Sequence, residues 1–359
     1  MIETLSLRNF KVLREVDVRL RPLTLVVGPN ASGKSSLLQA LACITERLSN
    51  PSKEVFQGER ASSVLTSRHP RGPLTLQCRI NQAGFGDLDF QLAFEPDLVP
   101  FYRVWGNWPH GEFREHVPPD LAKLIRPSGA VNLDVKLLAA PSYLPEITRA
   151  LPSNGRGLSS ILANFYLEQP SRFRELVDRL RAVVPVVEDL RLKPAEVWQT
   201  EFEQRGTERV EARRRYVGFE LFFNMKGADD VPAHAISEGT LLVLGLLTVL
   251  SSPEPPQLVL IDDLERGLHP KALGDLVQQL RRLEEENPEF QIVATSHSPY
   301  LLDYLNADEI LLTSLGEDGY AAVKPLTDHP EYDRWKDVMA PGEFWSTVGE
   351  RWITESAAK

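Results

Sequence analysis

Eight residues constrain this 359-residue chain more than any others: Gly28-Pro29-Asn30-Ala31-Ser32-Gly33-Lys34-Ser35. They fit the phosphate-loop pattern G-x-x-x-x-G-K-[ST] without a mismatch. The flanks agree with the motif. Leu23-Thr24-Leu25-Val26-Val27 is a near-continuous apolar run, as in a parallel strand buried on both faces. After the loop, Leu37, Leu38, Leu41, Ile44 and Leu48 follow helical spacing until Asn50-Pro51 stops them. Strand, glycine loop and helix in this order make an anion cradle. The glycines let backbone N–H groups turn inward, and the helix N-terminus adds partial positive charge. Lys34 reaches β- and γ-phosphates as a compact charge, and the Ser35 hydroxyl suits Mg²⁺. Ser36 is placed to line the same pocket.

Two further strands end in chemistry. Leu258-Val-Leu-Ile261 runs into Asp262-Asp263. A buried strand that ends in Asp delivers a carboxylate to the crevice at the sheet's carboxyl edge. Asp262 then becomes a Mg²⁺ partner and Asp263 a general base or water-orienting acid, with Glu265 a second candidate base. Paired acids after a strand also occur as a plain solvated turn. Ile292-Val-Ala-Thr295 leads to Ser296-His297, whose imidazole can reach a γ-phosphate or an attacking water. Ser298-Pro299 just beyond reads equally as an ordinary helix start. Ser237-Glu238-Gly239-Thr240 precedes an apolar helix, and Ser237 alone would be an N-cap.

The rest of the chain supports a globular α/β reading. Hydrophobic residues make up 42% and charged residues 25%, which excludes wholesale disorder. With 40 Lys+Arg against 50 Asp+Glu, the net charge of −10 excludes a surface coated in positive charge but not a local basic patch. Cys43 and Cys78 are too few for a disulfide framework or a four-cysteine zinc site. The start, MIETLSLRNFK, holds no apolar signal-peptide core. The longest apolar run, Leu241 to Leu250, is far short of the roughly 18–20 residues of a membrane span. A cytoplasmic protein with no membrane contact is expected.

Periodicity predicts a strand through Val16, Val18 and Leu20, and a hairpin over 74–94 with its turn at Asn81 to Asp87. Residues 95–157 show no clear period, 158–184 look helical, and Val217 to Phe223 alternate as a strand. From 238 on, helix 238–250, strand 258–261, helix 270–286, strand 292–295, short helix 299–305 and strand 310–313 imply a parallel sheet with helices on its faces.

The order of these parts resembles the ABC-type ATPase heads of the RecF/SMC/OLD-like branch of the AAA family. LSLRNFKVLREVDVRLRPLTLVVGPNASGKSSLLQAL looks like that branch's opening, ISEGT like its signature motif, LVLIDDLERGLHP like its extended Walker B, and ATSHSPYLLD like its switch-histidine segment. PGEFWSTVGERWI resembles the end of stand-alone members. The resemblance implies a P-loop NTPase fold of ABC type: a mainly parallel sheet flanked by helices, an antiparallel β lobe and a helical insertion. It implies one head over 1–359, with a nucleotide-binding core from 1–50 and 225–325, an inserted lobe over 51–224 and a C-terminal extension over 326–359. It also implies ATP and Mg²⁺ as cofactors and a homodimer that sandwiches two nucleotides. One subunit would supply Gly28 to Ser36, Asp262, Asp263 and His297; the other would supply Ser237 and Gly239. Lys11 would approach adenine or phosphate. Where the branch carries Glu after the Walker B Asp, Asp263 is one methylene shorter, so slow hydrolysis is expected. No Q-loop glutamine is identifiable, with Gln57 and Gln77 as weak candidates.

No heptad run intervenes between phosphate loop and signature, unlike SMC heads. The 62 residues after His297 hold no Asp-x-Asp cluster of the kind a Toprim nuclease domain needs. The expected function is thus an ATP-driven dimerisation switch in antiphage defence that gates a separately encoded effector such as a nuclease. The alternatives are a RecF-like DNA-repair ATPase that clamps DNA and an ATP-locked scaffold with negligible hydrolysis. Arg205, Arg209, Arg213, Arg214 and Arg215, interleaved with acids, read as a solvated face or as a nucleic-acid or partner contact.

Overall fold

The computed structural model describes residues 1–50, 65–68, 70, 72–82, 86–94, 102–108, 111–114, 129–144, 150–205 and 208–355. They form two compact units. The first comprises Met1–Ala130, Pro256–Glu265 and Arg281–Lys359; the second comprises Val131–Pro255 and Arg266–Leu280.

The first unit opens with strands β1 (Ile2–Phe10), β2 (Leu13–Arg19) and β3 (Leu23–Val27), followed by a helix over Lys34–Ser49. Strands β4 (Leu74–Gln82), β5 (Gly86–Phe94), β6 (Tyr102–Trp108), β7 (Gly111–Arg114) and β8 (Gly129–Val131) come next. After the second unit's β9 (Val187–Arg205), β10 (Glu208–Met225) and β11 (Ala228–Pro232), the chain adds β12 (Leu258–Ile261), β13 (Gln291–Ser296), β14 (Ile310–Leu315) and β15 (Ala321–Pro325).

Two six-stranded sheets result. One is antiparallel, in the order β2-β1-β4-β5-β6-β7; the other runs β15-β14-β3-β13-β12-β8. In the second sheet β3, β13, β12 and β14 are parallel, and β15 pairs antiparallel at the edge. All residues of β3, β12 and β13 are buried, which is why each reads as an unbroken apolar run. The register sets Val27 beside Ser296, and Ile261 beside Ala294. The residues that follow these three strands therefore leave the sheet along one carboxyl edge.

One buried side chain ties the two sheets. Gln291, 1% exposed, accepts from the Ile2 N–H at 2.9 Å and donates to the carbonyls of Ile2 at 2.8 Å and Arg21 at 3.1 Å. It closes the Ile2 N–H and carbonyl of β1 and joins Thr24 Oγ1 as a second donor to the Arg21 carbonyl of the β2–β3 link. The helix Lys34–Ser49 buries Leu37, Leu41, Cys43, Ile44 and Leu48 completely. Cys43 and Cys78 are both buried and form no disulfide, and burial pushes the Cys78 thiol far above its ordinary pKa.

The second unit packs helices Val135–Ala139, Leu158–Glu168, Pro170–Val183 and Glu238–Leu250 with a three-stranded sheet in the order β11-β10-β9. Ser142 is its fastener. Its backbone exchanges both hydrogen bonds with Phe219 at 2.9 Å, and Gly218 lets the Ser142 carbonyl come within 2.2 Å of where a Cβ would sit.

Several expectations needed adjustment. The 74–94 hairpin forms, but its strands extend to Gln82 and Gly86, because Asn81 and Asp87 pair in register instead of turning. The 95–157 stretch holds β6, β7 and β8, whose short, glycine-interrupted strands carry no visible period. β9, for which periodicity predicts nothing, alternates only between half-buried and exposed positions from Lys193 to Thr200, so polar residues occupy both faces and mask the strand. The 158–184 helix is two helices, broken at Gln169-Pro170 by the missing proline N–H. The short helix after His297 stops at Leu302. Among the described residues no helix is long and apolar enough to cross a membrane.

Replacing Gln291 by Leu strands the buried Ile2 N–H and carbonyl and removes one of the two donors to the Arg21 carbonyl, which keeps Thr24 Oγ1 at 3.1 Å. It is expected to lower unfolding free energy by about 2–4 kcal/mol, read from the urea midpoint. A loss below about 0.5 kcal/mol would show that Gln291 does not tie the sheets.

Candidate functional site

The phosphate loop leaves β3 and is packed tightly from beneath. A Cβ on Gly28 would lie 2.3 Å from the Thr313 carbonyl oxygen and 2.4 Å from its hydroxyl. Thr313 donates to the Val27 carbonyl at 3.3 Å, and its Oγ1 meets Ser32 Oγ at 2.5 Å. Ala31 (φ +63°) and Gly33 (φ +97°) both take left-handed backbone, which curls the loop back on itself. Pro29, Asn30 and Ala31 are exposed on the loop crest, while Ser32 and Gly33 are buried. Gly33 precedes the helix with no side-chain cap, so the first-turn N–H groups of Lys34, Ser35 and Ser36 have no intrahelical acceptor. Ser35 is exposed and Ser36 half-buried.

Lys34 is 5% exposed. Its ammonium donates to the carbonyls of Gly28 at 2.9 Å and Pro29 at 2.8 Å, and stands 3.3 Å from His297 Nδ1. Burial pulls its pKa below the ordinary lysine value, against the opposing pull of Asp263, Asp262 and Glu265.

The acids gather on the same side. Ser35 Oγ donates to both Asp262 carboxylate oxygens, at 3.2 and 2.9 Å. Thr295 Oγ1, fully buried in β13, donates to Asp262 Oδ1 at 2.5 Å and accepts from the Asp263 N–H at 2.9 Å. The Leu264 N–H donates to the Thr295 carbonyl at 3.0 Å. Asp263 takes a left-handed φ of +55°, a conformation open to Asp more than to most side chains. Burial, with Asp262 and Glu265 adding to it, raises its pKa; His297 and Lys34 pull the other way. His297 Nε2 lies 3.5 Å from Asp263 Oδ1. An imidazole that accepts from Lys34 at Nδ1 carries its hydrogen on Nε2, facing Asp263. Glu265 accepts from the His297 backbone N–H at 2.5 Å, and its other oxygen is buried without a hydrogen-bond partner.

The structure thus brings together the loop Gly28 to Ser36, Asp262, Asp263, Glu265 and His297. Ser237 and Gly239 belong to the second unit. Ser237 caps the helix Glu238–Leu250, accepting from the Thr240 N–H at 3.4 Å. Gly239 is required by a backbone contact: a Cβ there would lie 2.1 Å from the Gly267 carbonyl oxygen. Arg266 and Glu238 pair at 2.7 Å beside it. Lys11 sits in the β1–β2 turn at φ +51°, next to Val12, whose Cγ2 would touch a Cβ on Gly33 at 3.2 Å. Gln77 is exposed on β4, and Gln57 lies outside the described residues.

Arg205 and Arg209 fall on the β9–β10 ribbon, where their side chains lie outside the described residues; Arg213, Arg214 and Arg215 are exposed on β10. Arg215 pairs with Glu196 at 3.1 Å, and Arg213 lies 5.1 Å over the half-exposed Trp198 ring.

Thr295 and Thr313 were not singled out by sequence reasoning. Their signal is a polar residue inside an otherwise apolar, fully buried strand. Among the described residues no group of three or more His, Cys, Asp and Glu could hold a metal by itself. One hydroxyl and one carboxylate fit a hard cation that takes its remaining oxygens from water and phosphate.

A phosphate loop after the central strand, an acid pair after one parallel strand and a histidine after the strand between them define an ABC-type ATPase head of the RecF/SMC/OLD-like kind. Comparison with known proteins agrees. Residues 115–303 match the family described as "AAA domain, putative AbiEii toxin, Type IV TA system", and residues 1–80 match one described as "AAA ATPase domain". The first match spans more than half of the chain, and the chain belongs to that family. A 41-residue stretch is 44% identical to an OLD nuclease of Thermus scotoductus, covering 11% of this chain and 8% of that protein. The chain therefore matches less than a tenth of that relative's length. An Smc head bound to the C-winged helix domain of ScpA aligns at TM-score 0.60 and 17% identity, over 92% of this chain and 99% of that one. An Smc head with an extended coiled coil, bound to the C-terminal domain of ScpA and derived from Pyrococcus furiosus, aligns at TM-score 0.60 and 14% identity, over 94% and 99%. Likeness at this identity speaks for the fold.

Thr295→Val removes the hydroxyl that aims Asp262. The Mg²⁺ concentration that half-saturates ATP binding is expected to rise about tenfold, while Thr295→Ser stays near wild type. An unchanged Mg²⁺ requirement in Thr295→Val would contradict the role given to this hydroxyl.

Proposed function

We propose that the chain binds ATP with Mg²⁺ at the Lys34–Ser35–Asp262 cluster and works as an ATP-driven dimerisation switch. The observation that carries this reading is the Ser35 hydroxyl already hydrogen-bonded to Asp262 beside the phosphate-loop lysine. A bound Mg²⁺ would neutralise phosphate charge there, held by Ser35 and Asp262. Lys34 would exchange the Gly28 and Pro29 carbonyls for phosphate oxygens, which is an exchange of neutral acceptors for charged ones. Asp263 takes the proton of an attacking water, and His297, with its hydrogen on Nε2 toward Asp263, orients the same region. Glu265 spends one oxygen on the His297 backbone, so its part is to hold the histidine. Ser237 and Gly239 would complete the site of a second copy, giving a two-fold dimer with nucleotide at its interface. Apart from the Lys34 and Ser35 side chains, Gly28 to Ser36 contribute mainly backbone, and Lys11 a flanking cation.

The biological setting we propose is defence against phages, with ATP-linked closure gating a separately encoded effector such as a nuclease. The family's toxin–antitoxin description and the short likeness to an OLD nuclease support it. The partner protein present in both Smc head structures supports a separate binding partner. A second reading, a DNA-clamping ATPase, draws on the half-exposed Trp198 with Arg213 over its ring and Arg215 paired opposite it on the β9–β10 ribbon.

Molar mass in solution, measured with and without ATP and Mg²⁺, tests the switch. The wild type is expected to double in mass with nucleotide, and Lys34→Ala is not. Asp263→Asn is expected to keep the mass change and to lose phosphate release by about 10²-fold or more. A mass indifferent to nucleotide in every variant would refute the dimerisation switch. The second reading expects ATP-dependent DNA retention that weakens steeply with salt and falls in the Arg213→Ala/Arg215→Ala pair; salt-independent or unaltered retention would remove it.

A further inference from the structure

His297 stands in a short segment that is held from both ends. Upstream, Ser296 is fully buried at the end of β13, and its Oγ accepts from the Ser298 N–H at 2.9 Å. Downstream, Pro299 opens a helix of four residues, Pro299–Leu302. One turn of helix closes too few hydrogen bonds to fix its own position. What fixes it arrives from later in the chain.

Gly342 is the second residue of the helix Pro341–Val348 and is buried against that turn. A Cβ on Gly342 would lie 2.1 Å from the Pro299 carbonyl oxygen and 2.7 Å from Asp303 Oδ1. The Gly342 N–H donates to Asp303 Oδ1 at 2.8 Å, across 39 residues of sequence. Ala340, at the cap position, offers no side-chain acceptor. Asp303 therefore serves as the cap of a helix to which it does not belong, and the two helices are locked at their ends.

The docked helix is itself anchored to the sheet of the phosphate loop. Phe344 is 2% exposed, and the His329 ring meets Phe344 and Trp352 edge-on at 5.1 and 5.0 Å. The Lys324 ammonium, on β15, lies 5.5 Å over Trp352. β15 pairs with β14, and β14 with β3. The turn after His297 is thus clamped between β13 and a helix mounted, through β15 and β14, on the sheet whose strand β3 leads into Gly28 to Ser35.

We propose that Asp303 and Gly342 are positioning residues for His297: the docking of Pro341–Val348 on Pro299–Asp303 sets where the imidazole stands between Lys34 and Asp263. The inference rests on the reading of His297 as a contact of the γ-phosphate or the attacking water. Neither Asp303 nor Gly342 reaches the reacting atoms. A side chain at 342 must displace Pro299, two residues from His297, and a shift near 1 Å at a catalytic group costs on the order of 10²-fold in rate.

The test uses the full chain and ATP, with single-turnover phosphate release and ATP binding measured separately. Asp303→Ala and Gly342→Ala are expected to slow phosphate release about 10- to 100-fold while ATP affinity stays within about threefold. Asp303→Asn keeps a carbonyl acceptor and is expected to remain near wild type. The double variant Asp303→Ala/His297→Ala is expected to be no slower than His297→Ala alone, since the cap acts through that imidazole. Wild-type rates in Asp303→Ala and Gly342→Ala beside a slow His297→Ala would overturn the inference and leave the reading of His297 standing. Losses that multiply in the double variant would overturn it as well, by showing a structural effect. A wild-type rate in His297→Ala would instead remove the underlying reading. The His297 imidazole NMR signal, identified by its loss in His297→Ala, gives a readout that needs neither turnover nor a folded Gly342→Ala. It is expected to move in Asp303→Ala and not in Asp303→Asn; an unmoved signal overturns the proposal.

Discussion

The site depends on one buried hydroxyl. Thr295 lies in the middle strand of three, and its Oγ1 donates to the Asp262 carboxylate while accepting from the Asp263 backbone. A hydroxyl can do both at once, and in a dry strand it has no water to compete for it. The consequence reaches across the edge of the sheet. Asp262 is turned toward Ser35, and the chain at Asp263 is bent into a left-handed conformation that splits the two acids. Asp262 then faces the helix start, and Asp263 faces His297. A strand of purely aliphatic residues would bury as well, but Asp262 would keep only Ser35 as a partner and the Asp263 N–H would lose its acceptor.

Strand order supplies the rest of the convergence. β3 lies between β13 and β14, and β13 lies between β3 and β12. Parallel pairing in register brings the ends of β3, β13 and β12 to one edge, so three segments distant in sequence present phosphate loop, histidine and acid pair together. Thr313 on β14 plays the supporting part from the other side, filling the space under Gly28 where any side chain would collide. The loop is closely packed from below for that reason, which places its N–H groups in advance of any charge they meet.

Much of this was legible in the sequence, and the reasons are physical. The loop motif demands glycine and lysine at fixed places, and the buried parallel strands announce themselves by unbroken apolar runs. Hence β3, β12 and β13 and the helices after β3 and β12 are legible in the sequence, while the helix after β13 is shorter than its pattern suggests. What stayed hidden was set by pairing and by distant contacts. β9 shows no hydropathy period because its alternation from Lys193 to Thr200 is between half-buried and exposed positions, which polar residues fill as readily as apolar ones. The break at Gln169-Pro170 is written in the proline, but β7 and β8, of four and three residues, are too short to show a pattern, and Gly106 interrupts β6. Thr295, Asp303 and Gly342 look ordinary in a row of letters. Their meaning lies in atoms that the fold brings to them from 33 and 39 residues away.

Lys34 poses the sharpest test of the account. Its ammonium is held by the carbonyls of its own loop, at 2.9 and 2.8 Å. The crystal structure of the protein with a non-hydrolysable ATP analogue and Mg²⁺ would measure what becomes of those distances. The account predicts that Lys34 leaves both carbonyls for phosphate oxygens, that the cation contacts Ser35 and Asp262, and that the Thr295–Asp262 hydrogen bond persists. A nucleotide bound with Lys34 still on Gly28 and Pro29, or a cation held away from Ser35 and Asp262, would contradict it.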